Sequence, residues 1–285
     1  MELIANSIDD LYILALKRIL KEGIQVTARG LNFKEVRFQH LILTNPRARI
    51  IQNPERKLSK RFAMGEFIWI MSGKCSLDQI EFYNKRMKDF SDDGISLHGA
   101  YGPRLRHWSL QHGDVDQLEN CLQRLKNDMY TRQASIVILD PAIDFTVKTK
   151  DVPCNNYLQF LYREGKLDLL TYVRSNDMFL GFPYDVFEWT MLQEIFACSL
   201  NVELGEYHHI VGSLHLYEQD LKKAQNIINC ETFVSISMIP MPKETNLNII
   251  DNLAEFENLY RIKNDIRFSI LPNEWWVNKA KWLIK

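Results

Sequence analysis

No two cysteines of this 285-residue chain form a CxxC pair, and none stands at metal-ligand spacing from a histidine. The five that occur, Cys75, Cys121, Cys154, Cys198 and Cys230, are odd in number and scattered. That pattern argues against a disulfide framework or a structural zinc site, and it predicts a reduced compartment with no metal. Charge of one sign is missing too: 35 Lys and Arg against 36 Asp and Glu leave a formal net charge of −1. So balanced a chain lacks the basic face on which sequence-independent nucleic-acid binding depends, although a few arginines suffice for one small phosphate. The sequence shows no run of about 18 apolar residues, no basic-then-apolar leader, no internal repeat and no low-complexity stretch. The expectation is a cytoplasmic protein with neither a membrane nor a nucleic acid as partner.

What is present is an ordinary globular composition, 46% hydrophobic and 25% charged, long enough to bury a sizeable core. A helix is expected at 7–23, where a capping serine, early acids and a terminal glycine bracket apolar residues at helical spacing. Others are expected at 61–73, at 115–128 and over VFEWTMLQEIFACSL, which carries few charges and reads as central. ASIVILDP and ETFVSISMI (231–239) are β-branched and read as strands. YLQFLYREGKLDLLTYVRS reads as a β-hairpin about REGK, and NEWWVNKAKWLIK as an amphipathic helix. Strands and helices mixed without βαβ regularity predict an α+β fold in a single domain over 1–285.

Cys154 stands in DVPCNNYLQF, after a proline, at the opening of an expected strand. A thiol there is exposed enough to ionise, and the thiolate is the nucleophilic form. Inert core is the competing reading, and the better one for the other cysteines. Arg29 lies in a loop, Arg132 before a strand and Arg174 at a strand end. Each can be a solvated surface charge. Arg174, however, is followed at once by Ser175, Asn176 and Asp177, and arginine with serine suits a phosphate dianion. His215 and Tyr217, two apart on an extended segment, point to one side. They can grip one ligand or form a half-buried aromatic pair.

Together and in order, these motifs resemble the thymidylate synthase family. PCNNYLQF matches the family's Pro-Cys pair and Gln-Phe strand, with Cys154 and Gln159. RSNDMFLGFP matches its Arg-Ser-x-Asp and Phe-Leu-Gly-x-Pro run, and HLY its His-x-Tyr at His215 and Tyr217. Glu66 with Trp69 matches a helical glutamate and tryptophan, and Tyr101 with Gly102 a Tyr-Gly turn. Arg29 matches the phosphate-loop arginine, and Arg132 the arginine lent across a dimer. Order and spacing hold from about residue 7 to residue 225.

The resemblance implies a thymidylate synthase-like domain, a mixed sheet flanked by helices, forming a homodimer through the sheet. It implies a pyrimidine nucleoside monophosphate as substrate and 5,10-methylenetetrahydrofolate as cosubstrate. Cys154 would add to C6 of the base, splitting one hard substitution into easier steps. Glu66 would manage protons and ordered water, with Tyr101 beside it among the catalytic residues. Arg29, Arg174, Ser175 and an Arg132 from the second subunit would hold the phosphate, with Gln159 also on the nucleotide side. His215 and Tyr217 would bind the sugar hydroxyl. Asp177 would hold the pterin, with Gly181, Trp69, Met87 and Phe90 on the folate side.

The departures carry the finer reading. Where the family's synthases have an asparagine that pairs with uracil, this chain has Asp185, which also fits as the cap of the helix that follows. A carboxylate only accepts, so it repels O4 of uracil but can accept from the amino group of cytosine. Met87 and Phe90 replace tryptophans that shield the methylene intermediate, which favours water over hydride and a hydroxymethyl product. Asn155 replaces a histidine, Gln133 replaces a second phosphate arginine, and the 226–285 segment diverges. The expected activity is deoxycytidylate 5-hydroxymethylation, with Asp185 selecting the base. Cytidylate as substrate, methylation of deoxyuridylate, and a silent nucleotide-binding homologue stay open.

Overall fold

The computed structural model describes residues 2–110 and 113–284. Its strands are β1 (Glu2–Ala5), β2 (Ile24–Ala28), β3 (Leu31–Leu43), β4 (Trp108–Leu110), β5 (Gly113–Val115), β6 (Ser135–Val137), β7 (Asn155–Arg163), β8 (Lys166–Asp177) and β9 (Glu203–Tyr217). The chain divides into two compact units. One comprises Met1–Leu58, Cys154–Glu194 and Val202–Pro240, the other Ser59–Pro153, Ile195–Asn201 and Met241–Lys285.

In the first unit the strands run β1–β3–β9–β8–β7, with β2 paired to β3. β1 lies parallel to β3 and β8 parallel to β9, while the remaining pairs are antiparallel, so the sheet is mixed. Two tight hairpins build it. β2 turns into β3 through Arg29 (φ 51°) and Gly30 (φ 76°), and β7 into β8 through Glu164 (φ 50°) and Gly165 (φ 83°). Positive φ at both loop positions matches the twist of the flanking strands. The second is the hairpin expected about REGK.

The Ile8–Glu22 helix starts where Ser7 accepts the Asp10 N–H. It buries Leu11, Tyr12, Ala15 and Ile19 at helical spacing toward β3 and β9. On the core face of the sheet, Leu167, Leu169, Thr171 and Val173 of β8 alternate inward, as do Tyr207, His209 and Val211 of β9. The apolar Phe182–Leu200 helix, expected to be central, is buried along most of its length. It begins a turn earlier than the apolar run predicts, because Pro183 is preorganised for a first helical turn. Asp185 therefore lies inside that turn and is not the cap.

One expected strand fails. Residues 231–239 form no strand. The hydroxyls of Ser235 and Ser237 are held by Ser7, Asp9 and Asn45, while Val234 and Ile236 are 77% and 59% exposed. Polar side chains anchor this segment, so its β-branched pattern has no apolar face to bury.

The second unit is mostly helical. Its Lys60–Met71 helix packs against the Ile249–Lys263 and Glu274–Ile284 helices. The Gln117–Asn127 helix starts on an Asp116 cap. The last helix confirms the one expected from NEWWVNKAKWLIK, of which Lys285 lies outside the described residues. Of the strand expected in ASIVILDP, only β6 forms. No described helix is long and apolar enough to cross a membrane.

Candidate active site

Cys154 immediately precedes β7, and Arg174 lies on its antiparallel partner β8. The Arg174 N–H donates to the Cys154 carbonyl at 2.9 Å. That pairing sets their side chains together, with Arg174 Nη2 donating to Cys154 Sγ at 3.7 Å. The thiol is half-buried. A guanidinium so placed favours the thiolate and sets a positive charge beside it, of the kind that binds an anionic ligand. Ser175 follows on β8, in register with Ser213 of β9.

Asp185 is buried and held from two strands. Asn155 Nδ2, on β7, donates to its Oδ1 at 2.7 Å, and Asn176 Nδ2, on β8, donates to its Oδ2 at 2.6 Å. Each amide is oriented in turn. The Trp189 indole, which can only donate, gives its N–H to Asn155 Oδ1 at 3.0 Å. His209 Nε2 lies 2.9 Å from Asn176 Oδ1, and its Nδ1 lies 2.7 Å from the Tyr207 hydroxyl. Burial pushes His209 down to about 3, so the ring is neutral. Its Nε2–H then donates to the asparagine carbonyl while Nδ1 accepts from Tyr207. Burial raises the Asp185 carboxyl to about 7, against the pull of the two amides. Each carboxyl oxygen accepts one protein N–H and keeps a lone pair for a ligand.

Asp177 ends β8, in register with His215 of β9. Its Oδ2 accepts the Leu180 N–H at 2.6 Å, while its buried Oδ1 has no hydrogen-bond partner among the described residues. Burial raises this carboxyl above its ordinary range and lowers His215, with each charge opposing the other's shift. The His215 ring meets Phe33 at 5.1 Å and Tyr217 at 5.2 Å, the latter edge-on. The aromatic pairing weighed for His215 and Tyr217 is thus present. The following turn is pinned by the Tyr12 hydroxyl, which donates to the Met178 carbonyl at 2.7 Å, and by Arg56 against Phe179. Gly181 closes the turn: its carbonyl accepts the Asp185 N–H at 3.0 Å.

Other expected residues are spread more widely. Arg29 is exposed in its hairpin turn, and Gln159 is half-buried on β7. Glu66, Trp69, Met87, Phe90, Tyr101 and Arg132 belong to the second unit. There Trp69 is buried and donates its indole N–H to the Ser76 carbonyl at 3.0 Å. Met87 and Phe90 lie on the short Lys85–Phe90 3-10 helix, which buries none of its residues. Tyr101 opens the Tyr101–Arg106 helix, and Arg132 is exposed. Among the described residues no group of three or more His, Cys, Asp and Glu is set to hold a metal.

Sequence reasoning passed over Asn176, Trp189 and His209, and treated Asn155 only as a departure. Part of the cluster had a signal. Trp189 stands four residues after Asp185 on one helix, so the two share a face. His209 had none, since its link to Asn176 exists only through the parallel pairing of β8 and β9.

The sequence model of the thymidylate synthase family matches residues 10–268. Among curated proteins, a deoxyuridylate hydroxymethyltransferase of Bacillus phage SP01 is 38% identical over 218 residues, 74% of this chain and 57% of that protein. Proteins of the same name from Pseudomonas phage M6 and Delftia phage PhiW-14 are each 32% identical. The first aligns over 64% of this chain and 51% of its own length, the second over 66% and 54%. The chain thus spans a little over half the length of these relatives. One continuous family match runs through Cys154, Arg174, Asp177, Asp185 and His215, and the chain belongs to the thymidylate synthase family.

Proposed function

We propose that this chain is a C5 hydroxymethyltransferase acting on a pyrimidine deoxynucleoside monophosphate with 5,10-methylenetetrahydrofolate as cosubstrate. The observation that carries the reading is the Cys154 thiol within 3.7 Å of the Arg174 guanidinium, in a chain whose relatives bear that activity in their names. Cys154 adds to C6 of the base, which makes C5 nucleophilic. The folate supplies a one-carbon unit at the oxidation level of formaldehyde. Asp177 suits the pterin, since its buried Oδ1, which has no hydrogen-bond partner among the described residues, can accept an N–H from a ligand. Trp69, Met87, Phe90 and Gly181 complete the folate side in this reading.

Glu66 manages the proton and the water that completes the hydroxymethyl group, with Tyr101 alongside. Arg29, Arg174 and Ser175 hold the phosphate, joined by Arg132 from a second subunit. Gln159, His215 and Tyr217 complete the nucleotide contacts. The homodimer forms through the sheet face opposite the core, where Tyr172 is 37% exposed beside half-buried Leu170, His208 and Ile210.

Two readings of the base meet at Asp185. As a carboxylate it favours deoxycytidylate, because it accepts from the cytosine amino group. The names of the phage relatives favour deoxyuridylate, and a neutral Asp185 could donate to uracil O4. Incubation with the folate and each of dCMP, dUMP and CMP, followed by mass analysis, tests both. A hydroxymethyl product without dihydrofolate is expected. A methylated deoxyuridylate with dihydrofolate would overturn the reading.

A further inference from the structure

Both oxygens of Asp185 are already engaged by protein amides, and neither amide is free to turn. Trp189 fixes the Asn155 side chain, and His209, backed by Tyr207, fixes that of Asn176. An amide turned the other way would set its carbonyl against the carboxyl. Buried networks of this kind are rigid and hold one geometry. β7 and β8 present uncharged amides to this carboxyl, β9 presents His209 and Tyr207 behind them, and Glu188, on the next turn of the helix, acts on Tyr207. His209 is pushed down to about 3 and the Tyr207 phenol upward, so both are uncharged around neutral pH.

We propose that Asn155 and Asn176 are positioning residues that set the proton Asp185 presents to the pyrimidine, and through it the choice between uracil and cytosine. The proposal rests on the reading of Asp185 as the base contact. Uracil offers an acceptor at O4 and a donor at N3, so it needs a neutral carboxyl, with the O–H toward O4 and the other oxygen toward N3–H. Cytosine offers a donor at its amino group and an acceptor at N3. It also pairs with a carboxyl carrying one proton, now held between the carboxyl and N3. Two basic atoms share that proton with cytosine, whereas one must keep it with uracil. As pH rises through the titration of the free carboxyl, uracil therefore loses more affinity than cytosine, because the carboxylate still accepts from the cytosine amino group. The two amide donors stabilise the ionised carboxyl and so place that loss near neutrality, where burial alone would carry it higher.

The test is calorimetric binding of dUMP and dCMP across a pH series spanning neutrality, on the full chain, with wild type, Asn176→Ala and Asn155→Ala. For the wild type, dUMP affinity should fall about tenfold per pH unit above its midpoint, and dCMP affinity should fall less steeply over the same range. Either variant that folds should move the dUMP midpoint up by about one unit, the size of one lost hydrogen bond to a charged group. Midpoints unchanged in the folded variants, or dUMP affinity independent of pH, would overturn the proposal. Product formation by the wild type is scored separately: pH-dependent binding without hydroxymethyl product removes the function reading alone. A chain that binds neither nucleotide removes both.

Discussion

Gly181 approaches Asn176 so closely that a Cβ on the glycine would stand 2.5 Å from the Asn176 amide nitrogen. That nitrogen is the one that donates to Asp185. The family-like Phe-Leu-Gly-x-Pro run therefore serves the hydrogen-bonded setting of Asp185 as well as the turn. Gly181→Ala should displace the amide or the turn, at a cost of about 1–3 kcal/mol, typical of overpacking. Urea unfolding with parallel nucleotide titration checks this. Wild-type stability together with wild-type affinity would show that the glycine is dispensable.

Cys154 and Arg174 should separate chemistry from binding. Cys154→Ala is expected to abolish exchange of the C5 hydrogen while dUMP and dCMP affinities stay within a few-fold. Arg174→Leu should weaken nucleotide affinity roughly 10- to 150-fold, the range for losing a charge-assisted hydrogen bond. Exchange followed by mass spectrometry, together with calorimetry, distinguishes the two effects.

Asp177 is the residue through which folate and nucleotide should be separable. Asp177→Asn leaves volume unchanged but replaces one acceptor by a donor. The KM for the folate should rise about tenfold or more, with folate-independent C5 exchange retained. Equal losses in both would place Asp177 on the nucleotide side.

The buried Asp185 carboxyl also predicts a stability slope. Its folded value of about 7 lies above the ordinary 3.8, so between those values the folded chain binds more protons than the unfolded one. Stability on this account is greatest below the ordinary value and falls as pH rises, by at most ~1.4 kcal/mol per unit, until about 7. His209, buried neutral, works oppositely and costs stability as pH falls through its ordinary value. Comparison with Asp185→Asn isolates the carboxyl. The variant carries an offset, because its new N–H2 faces an amide N–H of Asn155 or Asn176. The difference between the two stability curves should nonetheless slope across the acid window. A flat difference in urea midpoints over that range would refute a raised Asp185.

Much was legible in the residues alone, because local rules decide it. Ser7 announces a helix start, and Glu164-Gly165 forces a hairpin that lays Arg174 beside Cys154. The 231–239 segment shows where local rules stop. Its alternating β-branched residues read as a strand, but strand formation needs an apolar face to bury, and here Val234 and Ile236 stay exposed while serines anchor the segment. The cap expected at Asp185 failed for a similar reason: Pro183 starts the helix earlier, and two amides from distant strands claim the carboxyl.

The sequence by itself determined the family, the order of the reactive residues and the presence of a carboxylate where the synthases carry an amide. Only the tertiary structure decided how that carboxylate is dressed. Asn155 and Asn176 reach Asp185, and His209 reaches Asn176, through pairings of β7, β8 and β9 that no short-range pattern encodes. Burial there opposes ionisation while the amide donors favour it. The balance between those two long-range effects sets the proton state of the Asp185 carboxyl.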